Sequence, residues 1–126
     1  MKKKVSTIKA PAATGPFSQA VVSGDLIFTS GQVCLTPEGK LLEGSIEEQI
    51  HQIMRNLQAI LEEAGVAFSD VVKATIYVTD MDIYKTVNEV YGSYMAEPFP
   101  AREVLCVKAL PLGANVEISM VAKKDF

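Results

Sequence analysis

Arg102 follows Pro100-Ala101 and opens a run that is otherwise apolar through Val104-Leu105-Cys106-Val107. A guanidinium there must find an acceptor, and its planar fork suits a small carboxylate, which it can hold by two parallel hydrogen bonds. Strand side chains alternate with period two, so Arg102, Val104 and Cys106 share one face, and on the next run Asn115, Glu117 and Ser119 share another. If those faces coincide, an arginine, a glutamate, a serine and a thiol line one half-polar patch. The readings are a structural Arg102–Glu117 ion pair, two unrelated solvated charges or an anion site, and the strand register decides whether the faces coincide at all.

Other chemistry finds little support. There is no GxSxG, phosphate-binding loop or HExxH pattern, and the single histidine cannot form a His pair. His51 falls with Glu47, Arg55 and Gln58 on the polar side of a helical pattern, which reads as a solvated surface position. Cys34 and Cys106 have no CxxC spacing, so reduced thiols are expected and no metal site. Lys+Arg 12 against Asp+Glu 15 leaves a net charge of -3, a poor match for nucleic-acid phosphates.

The elements that must position Arg102 and Glu117 follow from periodicity and turn chemistry. Ala20–Val22 and Leu26–Thr29 flank Ser23-Gly24-Asp25 as a hairpin, and a loop spans roughly residues 31 to 44. Ser45-Ile46-Glu47-Glu48 is a capping box. It starts a helix whose stripe runs Ile46, Ile50, Ile53, Met54, Leu57, Ile60, Leu61, Ala64 and stops at Gly65. Val71–Val78 is a strand, Ile83 to Tyr94 a second amphipathic helix ended by Pro98 and Pro100, and Arg102–Ala109 and Asn115–Lys123 are strands joined by Leu110–Ala114. Val5–Ile8 is a further candidate strand.

This order predicts one α+β domain over residues 1–126, a mixed sheet of about six strands with two helices on one face. With 48% hydrophobic residues in so small a chain, the other face is expected to pack on further subunits. No apolar run reaches the roughly 18 residues of a membrane span, and no signal-peptide core follows Met1-Lys2-Lys3-Lys4. A cytoplasmic protein with no membrane partner is the expectation.

Several motifs resemble the RidA/YjgF family: Ala10-Pro11-Ala12-Ala13-Thr14-Gly15-Pro16-Phe17-Ser18-Gln19-Ala20, Ser30-Gly31-Gln32, Val87-Asn88-Glu89-Val90-Tyr91, Phe99-Pro100-Ala101-Arg102, Leu110-Pro111 and Val116-Glu117-Ile118. The resemblance runs from about residue 5 to 122. It implies a chorismate-mutase-like α+β fold, assembled as a homotrimer around a central barrel of sheets, with a pocket at each subunit interface. It further implies cofactor-independent hydrolysis of enamines and imines, such as 2-iminobutanoate and 2-iminopropanoate, to 2-oxo acids and ammonia.

By the same resemblance, Arg102 grips the substrate carboxylate, Ser30 and Gly31 line the pocket, and Glu117 orients the attacking water. The backbone at Val104 holds the imine nitrogen or water, while Phe17, Tyr84 and Asn88 approach from a neighbouring subunit or support the rim. Two positions depart from the family pattern. Many deaminase members carry tyrosine in place of Phe17, a hydroxyl worth roughly 0.5–1.5 kcal/mol in a neutral hydrogen bond, and some carry cysteine in place of Val104. The alternatives are a trimer that binds a small carboxylate or 2-oxo acid without turnover, an RNA-cleaving translation inhibitor and a holdase.

Overall fold

The computed structural model describes residues 1–125. Its strands are β1 (Lys3–Val5), β2 (Ala20–Ser23), β3 (Leu26–Thr29), β4 (Val71–Val78), β5 (Ala101–Cys106) and β6 (Val116–Lys123), and its helices are α1 (Ile46–Glu63) and α2 (Tyr84–Ser93). The sheet order is β1-β2-β3-β6-β4-β5. Only β4 and β5 run parallel, because α2 carries the chain back between them; every other pair is antiparallel. The expected six-stranded mixed sheet with two helices is therefore the observed one.

Local sequence accounts for these elements. The Ser45 Oγ accepts from the Glu48 N–H at 3.1 Å and Glu48 Oε1 accepts from the Ser45 N–H at 3.2 Å, satisfying two amides that the first turn of α1 would otherwise leave unpaired. From there Ile50, Ile53, Met54, Leu57, Ile60 and Leu61 are wholly buried, packed over a sheet face made of Ile27, Ala74, Ile76, Val78, Val116, Ile118 and Ala122. Truncating any of these large aliphatic side chains to alanine costs roughly 2–5 kcal/mol.

Some boundaries differ from expectation. The first strand ends at Val5 rather than running to Ile8. The buried Gln19 side chain takes over the next backbone groups, accepting from the Thr7 N–H at 2.8 Å and donating to the Thr7 and Pro11 carbonyls. β5 stops at Cys106 because its partner β4 ends at Val78, whose carbonyl takes the Val107 N–H at 2.8 Å as the last rung. His51 is half-buried rather than solvated. Its Nδ1 lies 2.7 Å from the Tyr94 hydroxyl, and the two rings meet edge to face. The surface of α1 that looked polar thus docks partly on the end of α2.

Among the described residues, the second face of the sheet carries no helix. Register places Phe28, Val121, Thr75, Tyr77, Ser119, Glu117, Glu103 and Leu105 on it. Phe28 and Leu105 are each 41% exposed there. Lys73 and Glu103 pair across it at 2.9 Å, an exposed contact worth about 0–1 kcal/mol.

Candidate active site

The faces of Arg102 and Glu117 do not coincide. β4 lies between β5 and β6, with Ala74 opposite both Arg102 and Met120, while Tyr77 stands opposite both Leu105 and Glu117. Arg102 therefore shares the helix-covered face with Ala74, Ile76 and Ile118, and Glu117 sits on the open face. The patch expected within one chain, and with it a structural Arg102–Glu117 ion pair, is absent. Two half-sites stand in its place.

In the first, α2 devotes a whole stripe to one guanidinium. Tyr84, Asn88 and Tyr91 stand at i, i+4 and i+7 and meet Arg102 at the edge of the sheet. Arg102 donates from NH1 to Asn88 Oδ1 at 2.6 Å and from NH2 to the Tyr84 hydroxyl at 2.7 Å. Its Cζ lies 5.3 Å from the centroid of the Tyr91 ring and 5.8 Å from that of Tyr84. All these partners are neutral, and among the described residues no carboxylate comes within ion-pair distance of Arg102. Arg102, Asn88 and Tyr91 line a cavity of about 470 Å³ together with Gly92, Phe99 and Pro100.

Tyr91 is 5% exposed and its hydroxyl has no hydrogen-bond partner among the described residues. Burial pushes its phenol up, and the Arg102 charge partly reverses that. β5 is the edge strand, so one side of its backbone is unpaired. The Val107 N–H points to β4, and by two-residue alternation the Val104 N–H and C=O point to the open edge.

The second half-site is built around Glu117. A mutual pair of backbone bonds between Gln32 and Ile118, at 2.9 and 3.1 Å, straps the loop after β3 onto β6. This puts Gly31 directly against the Glu117 side chain. A Cβ at Gly31 would stand 2.6 Å from Glu117 Oε2, so the glycine is required by close approach. Ser30 secures the same loop by donating from Oγ to the Ser18 carbonyl at 2.6 Å and from its N–H to the Gln19 carbonyl at 2.9 Å.

Phe17, 56% exposed, is placed by a tight turn whose N–H returns to the Gly15 carbonyl at 2.8 Å, its ring edge lying over Gly15. Glu117, Gly31 and Phe17 line one cavity of about 330 Å³ with Val33, Leu35 and Leu112. Burial alone, with no offsetting cation, raises the carboxyl of Glu117 above its ordinary value.

Of the expected site residues, the structure thus gathers Arg102, Tyr84 and Asn88 in one place and Glu117, Gly31 and Phe17 in another. Ser30 is adjacent to the second with its hydroxyl already committed, and Val104 offers its backbone beside the first. From the sequence, Tyr91 stands only as part of the second amphipathic helix and of the Val87–Tyr91 motif; its spacing from Tyr84 and Asn88 was the available signal for the stripe. Leu112 reads there as an ordinary turn residue, and nothing in the periodicity marks it.

The chain is an α+β protein, a helix-backed six-stranded sheet with an arginine free of carboxylate partners at one edge and a partly buried glutamate on its open face. The family model described as endoribonuclease L-PSP matches residues 7–124. Reactive Intermediate Deaminase A, chloroplastic, of Arabidopsis thaliana is 48% identical over 122 residues, which are 96% of this chain and 65% of that protein. The 2-iminobutanoate/2-iminopropanoate deaminase of Mus musculus is 46% identical over 97% of this chain and 91% of its own. The crystal structure of RidA from an Antarctic Psychrobacter superposes with a TM-score of 0.91 at 41% identity, covering 96% and 98% of the two chains. The chain belongs to this family, the RidA/YjgF family that its motifs resemble.

Proposed function

We propose that this protein hydrolyses 2-imino acids and their enamine tautomers to 2-oxo acids and ammonia, at sites completed by two copies of the chain. The observation that carries the reading is the pairing of an arginine held only by neutral partners with a desolvated glutamate on the opposite face of the same sheet. The names of the relatives from Arabidopsis and mouse support the same reaction.

Geometry favours a shared site. Arg102 and Glu117 are separated by two strand spacings across the sheet and three residues along it, roughly 10 Å in each direction, and point to opposite faces. The imine carbon of a 2-imino acid lies one bond, about 1.5 Å, from its carboxylate carbon. No single small substrate reaches both groups within one chain. The homotrimer that the resemblance implies brings the Glu117 half of one subunit to the Arg102 half of the next, with the open sheet faces packed together at its centre.

In that site Arg102 holds the carboxylate with its free N–H donors, Tyr84 and Asn88 fix the plane of the fork, and the Val104 backbone meets the imine nitrogen or water. Glu117 accepts a proton as water adds its oxygen to the imine carbon, and the C=N pair moves to nitrogen. The proton returns to that nitrogen to give the carbinolamine; Glu117 then takes the hydroxyl proton and passes it to the amino group, so the C–N bond breaks and ammonia leaves as the C=O forms. The chemistry is undemanding, so positioning and a polarised water suffice.

The test is release of ammonia and 2-oxo acid from freshly generated 2-iminobutanoate, compared with the uncatalysed rate, for the native chain, Arg102→Ala and Phe17→Tyr. Charge-assisted hydrogen bonds are worth about 1.5–3 kcal/mol each, so losing the bidentate grip lowers kcat/KM by on the order of 10²–10⁴. No acceleration by the native chain overturns the reading. Phe17 favours a second one, binding of 2-oxo acids without turnover, because it withholds a hydroxyl from the Glu117 cavity; a gain of activity in Phe17→Tyr alone would identify it. The net charge of -3 disfavours a ribonuclease.

A further inference from the structure

Leu112 is the one non-glycine residue with positive φ among the described residues, at φ 61 and ψ 17, followed by Gly113 at φ 72. Glycine adopts this conformation freely, and asparagine or aspartate tolerates it, whereas a leucine side chain clashes with its own backbone there. Burial does not account for the choice, since Leu112 is 64% exposed. Neither turn chemistry nor the core explains a leucine here, and such unexplained strain points to a working site. Its surroundings agree: Leu112 walls the Glu117 cavity together with Phe17, Leu35 and Val33.

We propose that Leu112 and Phe17 form a side-chain pocket that selects 2-imino acids with branched or aromatic apolar side chains over those with charged ones. The inference rests on the hydrolase reading, because it takes the imine carbon to lie beside Glu117. With the carboxylate drawn toward Arg102 and the nitrogen toward the Val104 backbone, the remaining substituent on that carbon is the side chain. It points at the cavity wall. At about 330 Å³ the cavity exceeds what a methyl or ethyl group fills. A phenylalanine at position 17 leaves the wall without a hydroxyl, so a charged or polar substituent loses its water and gains no partner.

The experiment measures kcat/KM for the isobutyl, benzyl and carboxymethyl 2-imino acids, each generated in situ, with the native chain, Leu112→Gly and Leu112→Asn. Both replacements suit the left-handed backbone, so thermal midpoints stay level or rise, and a change of preference cannot be ascribed to unfolding. The native chain is expected to favour isobutyl or benzyl over carboxymethyl by roughly tenfold or more, and both variants to shrink that ratio to within about threefold. A native ratio near unity, or a ratio untouched by either substitution, overturns the proposal. Calorimetric binding of 4-methyl-2-oxopentanoate against oxaloacetate separates it from the reading beneath it. If the native chain hydrolyses no imine yet binds the apolar 2-oxo acid more tightly, and Leu112→Asn abolishes the difference, the pocket stands and the hydrolase falls; if binding shows no difference either, both fall.

Discussion

The placement of Arg102 and Glu117 on opposite sheet faces makes an experiment on mixtures decisive. Arg102→Ala and Glu117→Gln chains, each separately tagged, are expected to be nearly inactive alone. When co-expressed, they form mixed assemblies in which a Glu117→Gln chain supplies the arginine and an Arg102→Ala chain the glutamate. In a closed three-membered ring with head-to-tail interfaces, any assembly that contains both kinds of chain has one competent interface in three, so the specific activity of mixed assemblies returns to roughly a third of the native value. The geometry forbids any other source of recovery, since each chain's own pair lies roughly 10 Å apart both across and along the sheet. Ammonia release from 2-iminobutanoate by doubly purified assemblies measures it. Activity that stays at the level of the inactive parents, in assemblies shown to contain both tags, refutes the shared site.

Gly31→Ala would set a methyl 2.6, 2.7 and 2.9 Å from Oε2, Cδ and Cγ of Glu117. Turning the carboxylate alone cannot clear a contact that reaches Cγ, so the side chain must shift by about 1 Å, with a kcat loss of on the order of 10² and little change in KM. Kinetics retained within threefold would falsify the account of that glycine. Glu117→Gln is expected to unfold at higher temperature than the native chain at pH 7. The raised carboxyl stabilises the fold fully only below its ordinary 4.5, and that contribution is lost as pH rises through the raised value, so the variant's advantage disappears on acidification below 4.5. Tyr91→Phe keeps the ring beneath Arg102 and deletes a buried, unpartnered hydroxyl. Thermal stability should hold or rise, whereas Tyr91→Leu removes the platform and raises KM by roughly three- to thirtyfold.

What the sequence made legible was local. The stripe and capping box of α1 lie within one segment, so periodicity and Ser45-Glu48 placed it almost to the residue. Side-chain parity along β5 and β6 was equally readable, and each strand's own alternation is as expected. The failed step was to combine them. β5 and β6 are consecutive in the chain, and consecutive strands commonly pair, but here Leu110–Ala114 carries β6 past β4, to insert between β3 and β4. Strand order depends on long-range burial, and no residue in either run announces it. The motif resemblance supplied the members of both half-sites for the same reason that it could not supply their geometry: it names positions, whereas register fixes faces. His51 shows a smaller version of this limit, because the hydroxyl that partners it lies in a different helix.

The split has a physical logic. At about 4 Å and an effective dielectric near 20, opposite charges attract by roughly 4 kcal/mol. Had Glu117 shared the face and neighbourhood of Arg102, that attraction would compete directly with the substrate's carboxylate, and the anion site would be filled before any substrate arrived. Tyr84 and Asn88 avoid this by orienting the fork through neutral acceptors at 2.7 and 2.6 Å, leaving its charge uncancelled. Glu117 gains in the complementary way, since a carboxylate lacking a cation partner and partly desolvated is the stronger acceptor for a proton from water. Each half is therefore better suited to its task apart from the other, and the sheet keeps them apart within one chain, as the proposed site shared between two chains requires.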